Sequence, residues 1–260
     1  MNKEIHSTAI VAPDAKIEED TVIGPFCIIG EGVHIRKGSK LISNVIIEGR
    51  SEIGENCVIY PFTSIGLPPQ DLKYNGEKTS VTIGNNNIIR EYTTIHRASV
   101  GGDGITTIGD NNFIMAYVHI AHDCKVGNSV ALANVATLAG HVIVEDYAVI
   151  GGLVAIHQFT RIGAYAMVGG FSGVGQDIPP YMMASGARAR LFGLNTIGLK
   201  RHGFSDSTIN ELKKAYKILF REKRTLKDAI KKIQADLPYT DEIKLLIEFI
   251  QKNKRGICRQ

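Results

Sequence analysis

The chain has 260 residues, 44% hydrophobic and 22% charged, with 27 Gly and no Trp, a globular composition large enough for one big domain or two ordinary ones. It contains no apolar run of the roughly 18 residues a membrane-spanning helix needs, and Met1-Asn2-Lys3-Glu4 leads directly into patterned sequence, so the expectation is a cytoplasmic protein with no signal peptide and no stable membrane insertion. The net charge is +4, but Lys200 onward carries 16 Lys/Arg against 8 Asp/Glu, so that end is +8 and the first 199 residues are −4; a basic end suits an acidic partner, whether nucleic acid, a phosphate-bearing ligand or an acidic protein.

From Ile5 the sequence counts in sixes. Ile5, Val11, Ile17, Ile23, Ile29 and Ile35 open a register that runs through Leu41, Ile47, Ile53 and Ile59 to Ile65. It resumes at Ile83, Ile89 and Ile95, and again from Ile108 through Ile114, Ile120, Val126, Leu132 and Leu138 to Val174. Four residues after each aliphatic stands a second, generally small residue, such as Thr21, Cys27, Ser39, Cys57, Cys124, Ala136 and Ser172. A period of six fits neither a helix nor a simple alternating strand. It is the mark of a parallel β-helix of hexapeptides, whose stacked coils bury one shared aliphatic ladder. Small residues belong at the second inward position because bulky ones would overpack a narrow interior. The glycines that directly follow many aliphatics, among them Gly24, Gly30, Gly54 and Gly127, are expected to give backbone freedom near the corners. Cys27, Cys57 and Cys124 fall at the small inward position and Cys258 in the tail. With no C-x-x-C pair, all four read as reduced structural thiols.

Two stretches break the count. One starts at Gly66 and carries Pro68, Pro69 and Asn75; the other, Arg97 to Gly104, is Gly-rich. They read as loops at about 66–80 and 97–107, thrown from a corner without consuming a strand. They would leave after Ile65 and Ile95, near one another on one edge, where loops on a rigid scaffold tend to hold binding residues. The repeat is expected to stop at Pro179-Pro180. That divides the chain into a β-helix over 1–180, a connecting segment over 181–203 and an α-helical C-terminal domain over 204–260. Three amphipathic faces follow: Ile209, Leu212, Tyr216 and Leu219; Leu226, Ile230 and Ile233; Ile243, Leu246, Ile247 and Ile250. Thr225 is the expected N-cap of the second helix, and Pro238 separates the second from the third. A helical cap would also cover the unpaired strand at an open β-helix end.

The polar residues collect on one flank. Ile120, Leu138 and Ile156 are 18 residues apart and therefore share a face on successive coils, spaced by roughly 4.8 Å as in any sheet. His119, His122, His141 and His157 lie beside them, and His96 joins if the second loop consumes no strand. A stacked polar ladder without chemistry is one reading of this cluster. A second is a three-histidine metal site of the kind that activates water in β-helix hydratases, suggested by His119-x-x-His122. The third is a general base with an orienting carboxylate, for which His122-Asp123 supplies both residue types.

The motifs narrow this. His119-Ile120-Ala121-His122-Asp123-Cys124, Leu138-Ala139-Gly140-His141-Val142 and Gly152-Leu153-Val154-Ala155-Ile156-His157-Gln158-Phe159 resemble the UDP-N-acetylglucosamine acyltransferase family. So do Pro69-Gln70-Asp71-Leu72-Lys73, Arg90-Glu91-Tyr92-Thr93-Thr94-Ile95-His96, Gln176-Asp177-Ile178-Pro179-Pro180-Tyr181 and Gly193-Leu194-Asn195. The resemblance spans the chain. It implies a left-handed β-helix with three hexapeptides per coil and a helical cap, assembled as a homotrimer with sites between subunits. It implies transfer of a 3-hydroxyacyl chain from acyl carrier protein to the 3-hydroxyl of a UDP-sugar, opening lipid A biosynthesis, with no cofactor, metal or nucleic acid. By the same resemblance, His122 is the general base, Asp123 its orienting partner and the Gly140 N–H the oxyanion donor. Asp71, Lys73, His96, His119, His141, His157 and Gln158 would line the substrate cleft, Asn195 and Arg201 the nucleotide side, and Gly170 the acyl groove. The basic C-terminal end would dock the acidic carrier protein. Two positions depart from the family pattern. His202 stands where a second arginine is common, and Ile197 where a glutamate is common; both fall on the nucleotide side. An N-acyltransferase of the same pathway, a 3-amino-sugar acceptor, a metal-dependent hydratase and a non-catalytic scaffold are the alternative readings.

Overall fold

The computed structural model describes residues 3–259. Among them, three sheets of eleven, nine and eight strands, parallel but for the last strand of the first, wrap into a triangular prism, a left-handed parallel β-helix. The strands are mostly two residues long, and every third one returns to the same sheet. Ile5 pairs with Ile23, Val11 with Ile29 and Ile17 with Ile35. The ladder residues Ile23 to Ile65, Ile83 to Ile95 and Ile108 to Val174 are buried throughout. Each fully buried Ile or Leu contributes about 1.5–3 kcal/mol relative to exposure, so the ladder is what makes such short strands stable.

The second inward position behaves as expected: Thr21, Cys27, Ser39, Cys57, Cys124, Ala136 and Ser172 are all buried. All four cysteines are free and buried, and burial pushes the Cys124 thiol up to about 12. The corners differ from expectation. Backbone freedom is needed not at the glycines after the ladder residue but two positions further on, where Phe26, Asn56, Phe62, Tyr92, Asp123 and His141 adopt φ between 54° and 63°. Asn and Asp tolerate this region; the aromatics there are repaid by stacking between coils, as in Phe62–Tyr92–Tyr117 with centroids 4.9 and 4.8 Å apart. The glycines serve close approach instead. A Cβ on Gly24 would lie 1.8 Å from the Ile42 carbonyl oxygen, and one on Gly54 would lie 2.3 Å from the Gly84 oxygen.

Both loops leave the coil without consuming a strand. Ile65 pairs with Ile95 and Ile95 with Ile120. Ile53 likewise pairs with Ile83 and Ile83 with Ile108. The insertions are 68–79 and 97–104. Arg97 ties them together, with Nη1 donating to the Gly66 carbonyl and Nε to Tyr74 Oη, each at 3.0 Å.

The coil does not stop at Pro179-Pro180. The segment 181–203, expected to be a connection, adds strand Met182–Ser185 to the first sheet in parallel and strand Arg190–Leu194 in antiparallel, then helix α1 (Thr196–Arg201). Two prolines punctuate a corner here, where no strand bond is required of their nitrogens. Helices α2 (Asp206–Tyr216), α3 (Leu226–Asp236) and α4 (Asp241–Gln251) follow, and a π turn, Lys217–Arg221, continues α2. Thr225 caps α3, its side chain accepting from the Asp228 N–H. The tail then folds back along the coil, pairing Ile257 with Asp177.

Candidate functional site

The corner between the second and third sheets carries the densest chemistry. Turns of successive coils stack in register there, with Ile120 opposite Leu138 and Leu138 opposite Ile156. Two positions past these ladder residues stand His122, Gly140 and Gln158; three past stand Asp123, His141 and Phe159, all with φ of 60–65°. The register therefore lays the His122 ring over Gly140. A Cβ at Gly140 would meet the imidazole Cε1 at 2.5 Å and Nε2 at 2.6 Å, so any side chain there would displace the ring or the turn.

His122 Nδ1 is 2.8 Å from Asp123 Oδ2. A carboxylate only accepts, so Nδ1 carries the proton and the Nε2 lone pair is free. The same Oδ2 accepts the Ser99 N–H at 3.0 Å. Asp123 is buried, and its other oxygen, Oδ1, has no hydrogen-bond partner. The His141 ring meets His122 edge-on at 5.2 Å and stacks on Phe159 at 4.5 Å. Burial lowers its basicity, against the pull of Asp123. The Gly140 N–H makes no hydrogen bond among the described residues.

Asp71 reaches the dyad through the loops. Its Oδ2 accepts the Ser99 hydroxyl at 2.5 Å and its Oδ1 the Lys73 N–H at 3.1 Å. These two bonds, the Ser99 one foremost, hold the carboxyl below its usual range. His119 places Nδ1 2.7 Å from Thr94 Oγ1 and meets His96 edge-on at 5.2 Å. His96 is buried with Nδ1 unpartnered, and desolvation, then His119 and His122, bring it down to about 4. It is neutral at pH 7. His157 and Gln158 are exposed two coils beyond His119 and His122. Arg255 Nη2 lies 3.1 Å from His157 Nδ1.

Asn195, Arg201 and Gly170 lie elsewhere. Asn195 caps α1 beside the first sheet, its Oδ1 accepting the Gly198 N–H at 3.1 Å and its Nδ2 donating to the Tyr165 carbonyl at 3.0 Å. With Arg201, Ile197, Met167, Met183 and Val149 it lines a cavity of about 560 Å³. Gly170 is exposed on the corner between the first and second sheets. Within one chain, these three do not join the His122 corner.

Residues 177–258 match the family model described as Udp N-acetylglucosamine O-acyltransferase, domain 2, and residues 105–140 match that of the bacterial transferase hexapeptide, six repeats. An acyl-[acyl-carrier-protein]--UDP-N-acetylglucosamine O-acyltransferase of Thermodesulfovibrio yellowstonii is 71% identical over 256 residues, covering 98% of this chain and 99% of that protein. The chain belongs to the UDP-N-acetylglucosamine O-acyltransferase family. The crystal structure of such an enzyme from Moraxella catarrhalis superposes with a TM-score of 0.95 at 44% identity, over 98% of this chain and 99% of that one. The acyltransferase from Bacteroides fragilis gives 0.95 at 39%, over 98% and 100%.

Within the acyltransferase scaffold, the two departures have different surroundings. His202 packs edge-on against Tyr147 at 5.1 Å and Tyr165 at 5.3 Å, whereas Ile197 is 70% exposed. Sequence reasoning missed Ser99, Gly102, Phe159 and Arg255. Phe159 was findable, being the register neighbour of His141. Ser99, Gly102 and Arg255 lie in aperiodic segments, where no count points at them.

Proposed function

We propose that this acyltransferase moves a 3-hydroxyacyl chain from acyl carrier protein directly to the 3-hydroxyl of UDP-N-acetylglucosamine, in the cytoplasm, as the first step of lipid A biosynthesis. The observation that carries the mechanism is the His122–Asp123 pair laid over Gly140. His122 Nε2 takes the acceptor's proton as its oxygen attacks the thioester carbonyl. Asp123 holds Nδ1–H and stabilises the imidazolium. The uncommitted Gly140 N–H receives the developing oxyanion. The C–S bond then breaks, and the leaving thiolate takes the proton back from His122. The expected result for His122→Ala is a loss of at least about 10²–10⁴-fold in kcat with the fold intact; near-normal turnover would overturn the assignment.

We infer a homotrimer, supported by where the two groups of site residues lie. The exposed corner between the first and second sheets carries Phe62, Tyr92, Tyr117, Val135, Leu153 and Phe171, an apolar edge that a rotationally symmetric assembly would close. The first sheet of one subunit, beside which Asn195 and Arg201 lie and at whose edge Gly170 stands, would then face the second sheet of the next, whose far corner carries His122. The donor's acidic carrier would approach from the tail. Lys252 and Lys254 line a cavity of about 500 Å³ with Lys125, Arg161, Asp123 and His141.

The hydratase reading has one observation behind it: His122, Asp123 and His141 group their ligand atoms within 4.8 Å. Tetrahedral ligation at zinc distances sets neighbouring ligand atoms about 3.4 Å apart. Here Oδ2 of Asp123 is 2.8 Å from His122 Nδ1 and 3.9 Å from His141 Nε2, a spacing that fits a hydrogen bond better. Stoichiometric zinc or iron in the purified protein would reverse this preference.

A further inference from the structure

Asp123 can orient His122 only if its own carboxylate is fixed, and what fixes it is the second loop. Loop 97–104 lies over Asp123 at two points. The Ser99 N–H donates to Oδ2 at 3.0 Å, the oxygen that also receives His122 Nδ1–H at 2.8 Å. Gly102 covers the other oxygen so closely that a Cβ there would lie 2.1 Å from Oδ1. Oδ1 has no hydrogen-bond partner, so the donors that set the rotation of this buried carboxylate both sit on Oδ2. Ser99 is itself buried, and its hydroxyl donates to Asp71 Oδ2 at 2.5 Å. One residue therefore joins three carriers of function on two segments: Asp71 on the first loop, Asp123 on the coil and, through Asp123, His122. The loop is held at its ends as well, by Arg97 on Gly66 and Tyr74 and by the Lys125–Asp103 ion pair.

We infer that Ser99 is a positioning residue of the acyl-transfer site, which locks the Asp123 carboxylate with its N–H and ties it to Asp71 with its hydroxyl. Ser99 touches no reacting atom. Its hydroxyl keeps the loop backbone, and so the N–H, on Oδ2. Threonine can repeat both bonds; alanine keeps the N–H but releases its anchor on Asp71. The inference rests on His122 acting as the base, and the controls separate the two claims.

The test uses the full-length enzyme with acyl carrier protein thioester and UDP-N-acetylglucosamine. Ser99→Ala is expected to lower kcat about tenfold, the scale of effect that loosened positioning gives, with KM for the nucleotide sugar changed less than about threefold and the melting temperature held. Ser99→Thr should stay within about threefold of wild type. In an Asp123→Ala background, Ser99→Ala should cost less than about twofold, because coupled residues are not additive. A readout independent of turnover is the low-field imidazole N–H proton of His122, sharp in the wild type and broadened by Ser99→Ala. Full additivity with Asp123→Ala, or Ser99→Ala within twofold of wild type and an unbroadened proton, overturns the role of Ser99. An active His122→Ala overturns the base instead, and the proton resonance still reports whether Ser99 orders the dyad.

Discussion

The contact between His122 and Gly140 sets a sharp test. In Gly140→Ala the new methyl would lie 2.5 Å from Cε1 and 2.6 Å from Nε2. Ordinary contact begins near 3.4 Å, so the ring must retreat by about 0.9 Å or the turn must open by the same amount. Gly140 does not require a left-handed backbone, so the damage comes from overpacking, about 1–3 kcal/mol, and not from an impossible φ. A retreat of about 1 Å in a catalytic base is worth on the order of 10²-fold in rate, and the same methyl crowds the N–H assigned to the oxyanion. The expected outcome is a kcat reduced about 10²-fold or more, a KM for the nucleotide sugar near wild type and a modestly lower melting temperature. Gly175→Ala, one position past its ladder residue on the same corner, is the control, since a Cβ there meets nothing within 4 Å. Steady-state kinetics on both variants, with calorimetry alongside, decide the matter. A Gly140→Ala enzyme turning over within threefold of wild type would refute both the placement of the base and the oxyanion role.

Three further outcomes follow from the geometry. His96 sits near 4 in the folded chain against 6.5 for the free side chain, so the unfolded chain binds the extra proton. Its contribution is fully present above about pH 6.5 and is lost as pH falls toward 4, by up to ~3 kcal/mol, with His119 and His122 facing it; His96→Gln should flatten the fall in urea midpoint between pH 7 and 4.5, and an unchanged slope would sink the account. Charge reversal at Lys252 and Lys254 should raise KM for the acyl carrier protein at low salt, with the difference fading as salt screens it; an unchanged low-salt KM removes the tail from donor docking. Tyr117→Asp with Phe62→Asp should dissociate the proposed trimer in sedimentation while leaving the coil's circular dichroism intact, and a trimer surviving both would place the subunit interface on another edge.

Most of the coil was legible because a two-residue strand has so little latitude. Its one inward side chain is either aliphatic or the ladder breaks, and the count of six is that requirement written along the chain. The loops were legible for the same reason: the register resumes after each of them, so Ile65, Ile95 and Ile120 could be aligned without seeing the insertions. What the count cannot carry is interaction between coils that depends on side-chain direction. Phe62, Tyr92 and Tyr117 occupy a left-handed corner that local preference assigns to Gly or Asn, and their mutual stacking offsets that strain. The strand Met182–Ser185 was hidden by Pro179-Pro180, because its existence depends on pairing with Met167–Val168 and not on any pattern of its own.

The candidate site divides along the same line. His122, Asp123 and His141 were visible because corner positions repeat with the coil, and Gly140 through the family resemblance. Ser99 was not, because it enters from an insertion. The proposed nucleotide side is a third case, in which position was legible and surroundings were not. His202 is committed to the Tyr147 and Tyr165 rings at the end of α1, so its departure from arginine leaves Arg201 as the guanidinium of that helix end. Ile197 projects from the first turn of the same helix into the cavity with Asn195. Neither residue lies on the coil that carries the base. On the proposed mechanism the proton is taken at His122 Nε2 and the oxyanion held at Gly140, so these two departures act on how the nucleotide is held, and hence on KM, while the turn Ile120 to Cys124 and its neighbour across Gly140 set kcat.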